Sequence, residues 1–327
     1  MLILTKMKLQ STESGAGRFT DFKLPPLTFH EYIHLKKLDH LIHKREISYR
    51  GKQIRYYLTH DNKALNKEFF NYLNYGGYPE VVLSEKLQHD MGRFVKSDIV
   101  DKVLLRDLPS LYGVRDVQEL NSFFSYLAYN TGQEFSLDRM CKDSGIKKEI
   151  IKKYLEYLEA AFLITVIHKV DVNARRFERI TSFKIYLTNS SLRTALFSPV
   201  QETDSETGHM IETAIFSQWM HRDNLDLRYA RFKMGRSEGE VDLVSIDNKS
   251  FKPQWCVEIK WSNRYFDMPQ DLTSLLFFCK ENQLDAALIT TIDKSGNQKI
   301  NETDLTYLPA AVYAYNVGVI TLERKSG

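Results

Sequence analysis

Cysteine is scarce: Cys141, Cys256 and Cys279 are the only three in 327 residues. They are odd in number, far apart and in no Cys-x-x-Cys spacing. That excludes a disulfide framework and a structural zinc cluster and points to a reduced, cytoplasmic compartment. Long apolar runs are missing too. The longest, Ala160 to Ile167, contains Thr165 and is far shorter than the roughly 20 residues that cross a bilayer, so no membrane partner is expected. Met1-Leu-Ile-Leu-Thr-Lys has no basic segment ahead of an apolar one, which reads against a signal peptide. A phosphate-binding loop needs Gly-x-x-x-x-Gly-Lys-Ser/Thr so that backbone N–H groups can wrap the phosphates. The only Gly-Lys is Gly51-Lys52, followed by Gln53 and without the upstream glycine, so no ATP site is expected in this chain. No internal repeat or low-complexity tract is present. A strong net charge is also lacking, with 45 basic against 42 acidic residues.

What is present is the profile of a globular protein: 43% hydrophobic and 27% charged residues. The length suits two or three domains. The small positive excess is unevenly placed. Between Lys142 and Arg193 there are 11 Lys/Arg and 6 Asp/Glu, a local excess larger than that of the whole chain.

Two strands stand out in residues 238–261. Val241, Leu243 and Ile246 mark one, and Trp255, Val257, Ile259 and Trp261 alternate through the next, with the turn formers Asp247 to Ser250 between them. Side chains two apart share a face, so Glu258 and Lys260 project together, and Asp242 reaches them if the strands pair. Two carboxylates and an amine on a sheet surface suit a hard cation, Mg²⁺ or Mn²⁺, and an oriented water. Acid-x-Lys triplets occur five times in the chain. Only the one at Glu258 is flanked on both sides by an alternating apolar strand.

Upstream, residues 30–75 read as helical, ending at Gly76-Gly77. A further helix runs from Phe94 to Leu108, stopped before Pro109. A helix over 117–127, a short helix from Leu137 to Lys142 capped by Ser136, the Gly145 turn and a helix from Lys147 to Leu158 give a helix-turn-helix. Strands Phe162 to Val170 and Phe183 to Leu187, joined by Asn173-Ala-Arg-Arg-Phe-Glu-Arg179, make this a winged helix. Lys147, Lys148, Lys152 and Lys153 crowd its recognition helix, and Arg175, Arg176 and Arg179 its wing, so DNA is the expected partner. The whole reads as a mixed α+β chain. A helical connector (30–110) leads to a winged-helix domain (111–197), and a further domain (208–327) has the order α-β-β-β-α-β.

That order, with Asp242 and Glu258-Ile-Lys260 on adjacent strands, resembles the PD-(D/E)XK nuclease superfamily. The resemblance implies that Asp242 and Glu258 are metal ligands, that Glu212 of the first helix supports the metal or its water, and that Lys260 orients the attacking water. A wider resemblance is to the C-terminal part of uncharacterised bacterial and archaeal AAA-type ATPases, a domain of unknown function. It is carried by Gly17-Arg18, Pro26-Leu-Thr-Phe-His-Glu-Tyr32, Gly76-Gly-Tyr-Pro-Glu-Val81, Asp98 and Arg106-Asp107-Leu108. Downstream it continues through Tyr154-Leu-Glu-Tyr-Leu-Glu159, Lys184-Ile-Tyr186, Gly208 with Glu212, and Glu240-Val-Asp242. Asn189 stands where that family usually has Asp. The resemblance implies that residues 1–29 are the end of an ATPase core, with the rest of that core absent here, and a separate ATPase chain is then an expected partner. The alternative to a nuclease is then a catalytically silent regulatory or protein-docking region.

His30-Glu31-Tyr-Ile-His34 is a literal His-Glu-x-x-His, and His40 falls where extended zinc proteases place a third ligand. Lys37 occupies the position where that pattern needs glycine. The zinc-protease reading is therefore a remote alternative.

Overall fold

The computed structural model describes residues 25–49, 52–172, 182–222 and 225–323. Among them are thirteen α-helices and eleven strands, nine of which form one mixed sheet. The wing arginines Arg175, Arg176 and Arg179 lie outside the described residues, as do residues 1–24.

The segment read as helical over 30–75 is interrupted. Helix Phe29–Leu35 is followed by a hairpin of β1 (His43–Tyr49) and β2 (Lys52–Leu58), and only then by helix Asn62–Tyr75. The hairpin holds seven residue pairs in unbroken register. Ile47 and Tyr49 on one strand and Ile54, Tyr56 and Leu58 on the other recur every second residue. That spacing, and the β-branched and aromatic types, favour strand over helix. Asn316 fixes the hairpin's base, accepting from the Tyr57 N–H and donating to its carbonyl, both at 2.8 Å.

Pro109 does not end its helix. The turns widen to π geometry over Gly92–Val100 and Val103–Asp107 and then continue as helix Leu108–Tyr112, closed by Gly113 at φ +67°. Leu108 donates its N–H to Val103 five residues back. This wider turn lets a proline, which has no N–H to give, follow without breaking the rod.

Next comes the order helix Val117–Tyr129, β3 (Glu134–Ser136), helix Leu137–Ser144, helix Lys148–Ala160, β4 (Ile164–Val170) and β5 (Ser182–Leu187). Ser136 caps the second of these helices and Gly145, at φ +73°, ends it. β5 pairs antiparallel with both β3 and β4. Their shared core includes Phe123, Phe124, Leu127, Phe135, Ile151 and Leu158.

Helix Thr207–Trp219 leads into β6 (Asp226–Met234), β7 (Ser237–Ile246) and β8 (Pro253–Glu258). After helix Thr273–Asn282 come β9 (Ala286–Thr291), β10 (Gly296–Ile300) and β11 (Thr303–Pro309), ending in helix Ala310–Glu323. The last two strands and the final helix extend the α-β-β-β-α-β order read from the sequence. The sheet order is β10-β11-β9-β8-β7-β6-β4-β5-β3, with β9 parallel to β8 and β11, and β4 parallel to β6. One sheet therefore runs through residues 134–309. Helices Thr207–Trp219 and Ala310–Glu323 share a core with the Phe29–Leu35 and Asn62–Tyr75 helices, while helix Thr273–Asn282 packs a separate core that includes Val241, Val244 and Cys256.

Candidate functional site

Asp242 sits at an irregularity of the sheet. Arg228 pairs with Val244 and Ala230 with Val241, so two β7 residues, Asp242 and Leu243, stand opposite the single β6 residue Tyr229. This is a β-bulge, and it breaks the two-residue alternation. Val241 consequently joins the core under helix Thr273–Asn282, while Leu243 joins the core under helix Thr207–Trp219. On the other side, Leu243 pairs with Val257, so one step further along the ladder Asp242 stands opposite Glu258.

The bulge turns the Asp242 carboxylate into a cluster of charges. Its Oδ2 accepts from the Ile259 N–H at 2.9 Å and from Lys260 Nζ at 3.1 Å. Lys260 also pairs with Glu258 Oε1 at 2.8 Å. Asp242 Oδ1 lies 3.8 Å from Lys184 Nζ, which pairs with Glu212 Oε1 at 2.8 Å and Glu240 Oε1 at 2.7 Å. Tyr186, two residues along β5 from Lys184, donates a short hydrogen bond to Glu212 Oε1. Lys184, Glu212, Asp242 and Glu258 are all buried, and Lys260 is half-buried.

Three strand steps separate β5 from β7. On a flat sheet that is about 14 Å, beyond the reach of a lysine. Tyr229 spans as many steps when it donates to Glu134 Oε2 of β3 at 2.8 Å. Both contacts require the sheet to curl, which brings β3 and β5 over β6 and β7. Arg231 closes the rim between Glu134, Glu238 and Glu240.

Glu212, Glu240, Asp242 and Glu258 thus share two ammonium groups, with Arg231 also reaching Glu240 at 3.6 Å, so acid outnumbers base in the cluster if all ionise. Burial and this imbalance shift the acids and the lysines. Burial raises the Glu258 carboxyl to about 8, with the Asp242 charge adding to the effect and Lys260 opposing it. Burial raises Glu212 to about 6 against the pull of Lys184. Burial also pushes Asp242 upward, but Lys260, Lys184 and the Ile259 N–H outweigh it and hold this carboxyl below its usual range. Burial works against the charged forms of Lys184 and Lys260, and the surrounding carboxylates overcome it, raising both.

Of the four residues singled out from the sequence, Asp242, Glu258 and Lys260 meet directly, and Glu212 joins them through Lys184. The sequence reading gave no role to Lys184, Tyr186 or Glu240, although two spacings pointed to them: Lys184-x-Tyr186 and Glu240-x-Asp242. Among the described residues no three of His, Cys, Asp and Glu converge on a common point for an ion. The pair Asp242 and Glu258 nonetheless fits a hard cation in its donor chemistry. Glu258 Oε2 is buried without a hydrogen-bond partner, a costly state that an ion or a proton would relieve.

The helix-turn-helix lysines are placed on one short stretch. Lys147 precedes the Lys148–Ala160 helix, and Lys147, Lys152 and Lys153 are exposed. Lys148 pairs with Asp138 at 2.7 Å. At the His-Glu-x-x-His segment, the Glu31 carboxylate accepts from the Thr28 N–H at 2.8 Å and so closes a capping box. His34 Nδ1 lies 3.2 Å from Asp39 Oδ1, and His30 packs edge-on to Tyr315.

Residues 66–204 match the family described as a domain of unknown function, DUF8612. An uncharacterized protein of Haemophilus influenzae is 23% identical over 275 residues, covering 82% of this chain and 58% of its own length. An uncharacterized protein of Methanocaldococcus jannaschii is 22% identical over 314 residues, covering 92% of this chain and 64% of its own. The chain therefore spans about three fifths of the length of these relatives. No solved structure matches it. No helix among the described residues is long and apolar enough to cross a membrane.

Proposed function

We propose that the chain is a nucleic-acid-associated module in which a winged helix holds DNA and a PD-(D/E)XK-like site cleaves it with a divalent metal. The observation that carries this reading is the meeting of Asp242, Glu258 and Lys260 at a sheet bulge, with Glu258 Oε2 buried and unpartnered. The element order helix–strand–helix–helix–strand–strand over residues 117–187 supports the winged helix. The run β6-β7-β8-β9, with helices Thr207–Trp219 and Thr273–Asn282, supports the nuclease-like unit.

In this reading Asp242 and Glu258 hold Mg²⁺ or Mn²⁺, which when bound supplies Lewis acidity and charge neutralisation at a phosphate. Lys260, in reach of both ligands, orients the attacking water. Glu212, held by Lys184 and Tyr186, supports the arrangement from the helix side. Lys147, Lys152 and Lys153 contact DNA phosphates, together with Arg175, Arg176 and Arg179. The longer relatives fit a protein whose remaining part, an AAA-type ATPase core, lies elsewhere.

A second reading is favoured by a specific observation: Lys184 and Lys260 already pair with the carboxylates, as in a self-contained ion cluster. That describes a catalytically silent docking or regulatory region. The purified chain with Mg²⁺ or Mn²⁺ separates the two. The nuclease reading expects slow cleavage of DNA that EDTA stops and Asp242→Asn abolishes. Lys260→Ala should keep the metal and lose the cleavage. DNA left intact by wild type under both ions would leave the silent reading standing.

A further inference from the structure

Lys184 is the least expected member of the cluster. It comes from β5, in the part of the chain that precedes the nuclease-like unit, and its side chain is 5% exposed. Its ammonium has three carboxylates around it: Glu240 at 2.7 Å, Glu212 at 2.8 Å and Asp242 at 3.8 Å. The Tyr229 ring lies 5.4 Å from it. Asp242 is shared, with Oδ1 toward Lys184 and Oδ2 toward Lys260.

Held between Glu240 and Glu212, with Asp242 further off, the Lys184 ammonium supplies the positive charge that a bound cation would supply, and while it is in place no three carboxylates among the described residues are set around a common point for an ion. It differs in being covalently tethered and shut off from water, so it cannot exchange. We propose that Lys184 is the positioning residue of this site, a built-in cation. It fixes Glu212 and Glu240 and leaves the Asp242–Glu258 pair as the one place open to a divalent ion. The site is then assembled across the curl of the sheet, and its chemistry belongs to the one-metal class. The Asp242–Glu258 half rests on the metal reading above; the Lys184 half does not, and is tested separately.

The test is Lys184→Met, which keeps an unbranched, uncharged chain, studied beside Lys184→Arg by Mn²⁺ titration and thermal melting. In EDTA, Lys184→Met should melt below wild type, because Glu212, Glu240 and Asp242 each lose an ion-pair partner. Millimolar Mn²⁺ or Mg²⁺ should restore much of that loss, and the Mn²⁺ count should exceed that of wild type by one ion per chain. Lys184→Arg, which keeps a fixed cation, should show no added ion. If Lys184→Met folds only when divalent ions are present, that is the same rescue in a stronger form.

A Lys184→Met protein with the wild-type ion count and a melting point indifferent to divalent ions would overturn the proposal. So would one that fails to fold with ions as without. If wild type binds no Mn²⁺ while Lys184→Met binds one, the built-in cation stands and the metal reading falls. If both bind one, the metal reading stands and the built-in cation falls.

Discussion

Replacing Glu258 by Gln should make the fold more stable in alkaline solution and change little in acid. Burial raises this carboxyl from 4.5 to about 8, so the folded state keeps a proton that the unfolded chain releases above pH 4.5. The folded state binds more protons over that window, and stability must fall as pH rises from about 4.5 to about 8. Each pH unit is worth about 1.4 kcal/mol, so the full window sets an upper limit of about 5 kcal/mol. Glu212, raised to about 6, adds a smaller decline between pH 4.5 and 6 in both proteins. A glutamine cannot ionise and should remove the Glu258 share, while Lys260 keeps Asp242 as its partner. The assay is urea unfolding of wild type and Glu258→Gln at several pH values in EDTA. The two should converge near pH 4.5 and diverge by several kcal/mol at pH 9. Parallel curves across the whole range would refute the placement of Glu258 as a buried, proton-holding group. With Mn²⁺ present, the wild-type decline should flatten, because an ion would replace the proton.

Asn74→Ala should destabilise by roughly 2–4 kcal/mol in chemical unfolding. The Asn74 amide donates to the Phe70 and Val200 carbonyls and accepts from the Val200 N–H and the Thr194 hydroxyl. Gly77→Ala should also destabilise, by about 1–3 kcal/mol on the same measurement, since a Cβ there would meet the Asn189 amide at 1.7 Å. Asn189 has little freedom to retreat, because its Oδ1 accepts from Ser191 N and Oγ. On DNA, Lys152→Ala with Lys153→Ala should flatten the log–log salt dependence of affinity by roughly two units, read by fluorescence anisotropy at several salt concentrations. An unchanged slope would move those lysines away from the phosphates.

Asp242, Glu258 and Lys260 could be named together because Trp255, Val257 and Ile259 alternate along β8 and just past its end, and the strand that carries Asp242 comes just before it. The bulge that aims Asp242 was not legible, since nothing in Glu240-Val-Asp-Leu-Val244 signals that two residues will face one. Lys184 was given no role for a different reason. It lies 28 residues before Glu212 and 58 before Asp242, and only the curl of the sheet brings β5 over β7. Charge pairing across a curled sheet depends on tertiary shape, which spacing along the chain does not encode. The β1–β2 hairpin was missed because it sits between two true helices, although Ile47, Tyr49, Ile54, Tyr56 and Leu58 recur at the two-residue spacing of strands. Pro109 misled through a rule that holds for α-turns and not for the π-turns that precede it. The helix-turn-helix order, by contrast, followed directly from Ser136, Gly145 and the periodicity between them.

Isothermal titration with Mn²⁺ asks whether Asp242 and Glu258 hold an ion at all. Saturable heat for one ion per chain is expected in wild type, the same in Lys260→Ala, and none in Asp242→Asn, with all three proteins folded by circular dichroism. Wild type that takes up no divalent ion at millimolar concentration would contradict the metal reading and leave the cluster as a buried network of ion pairs.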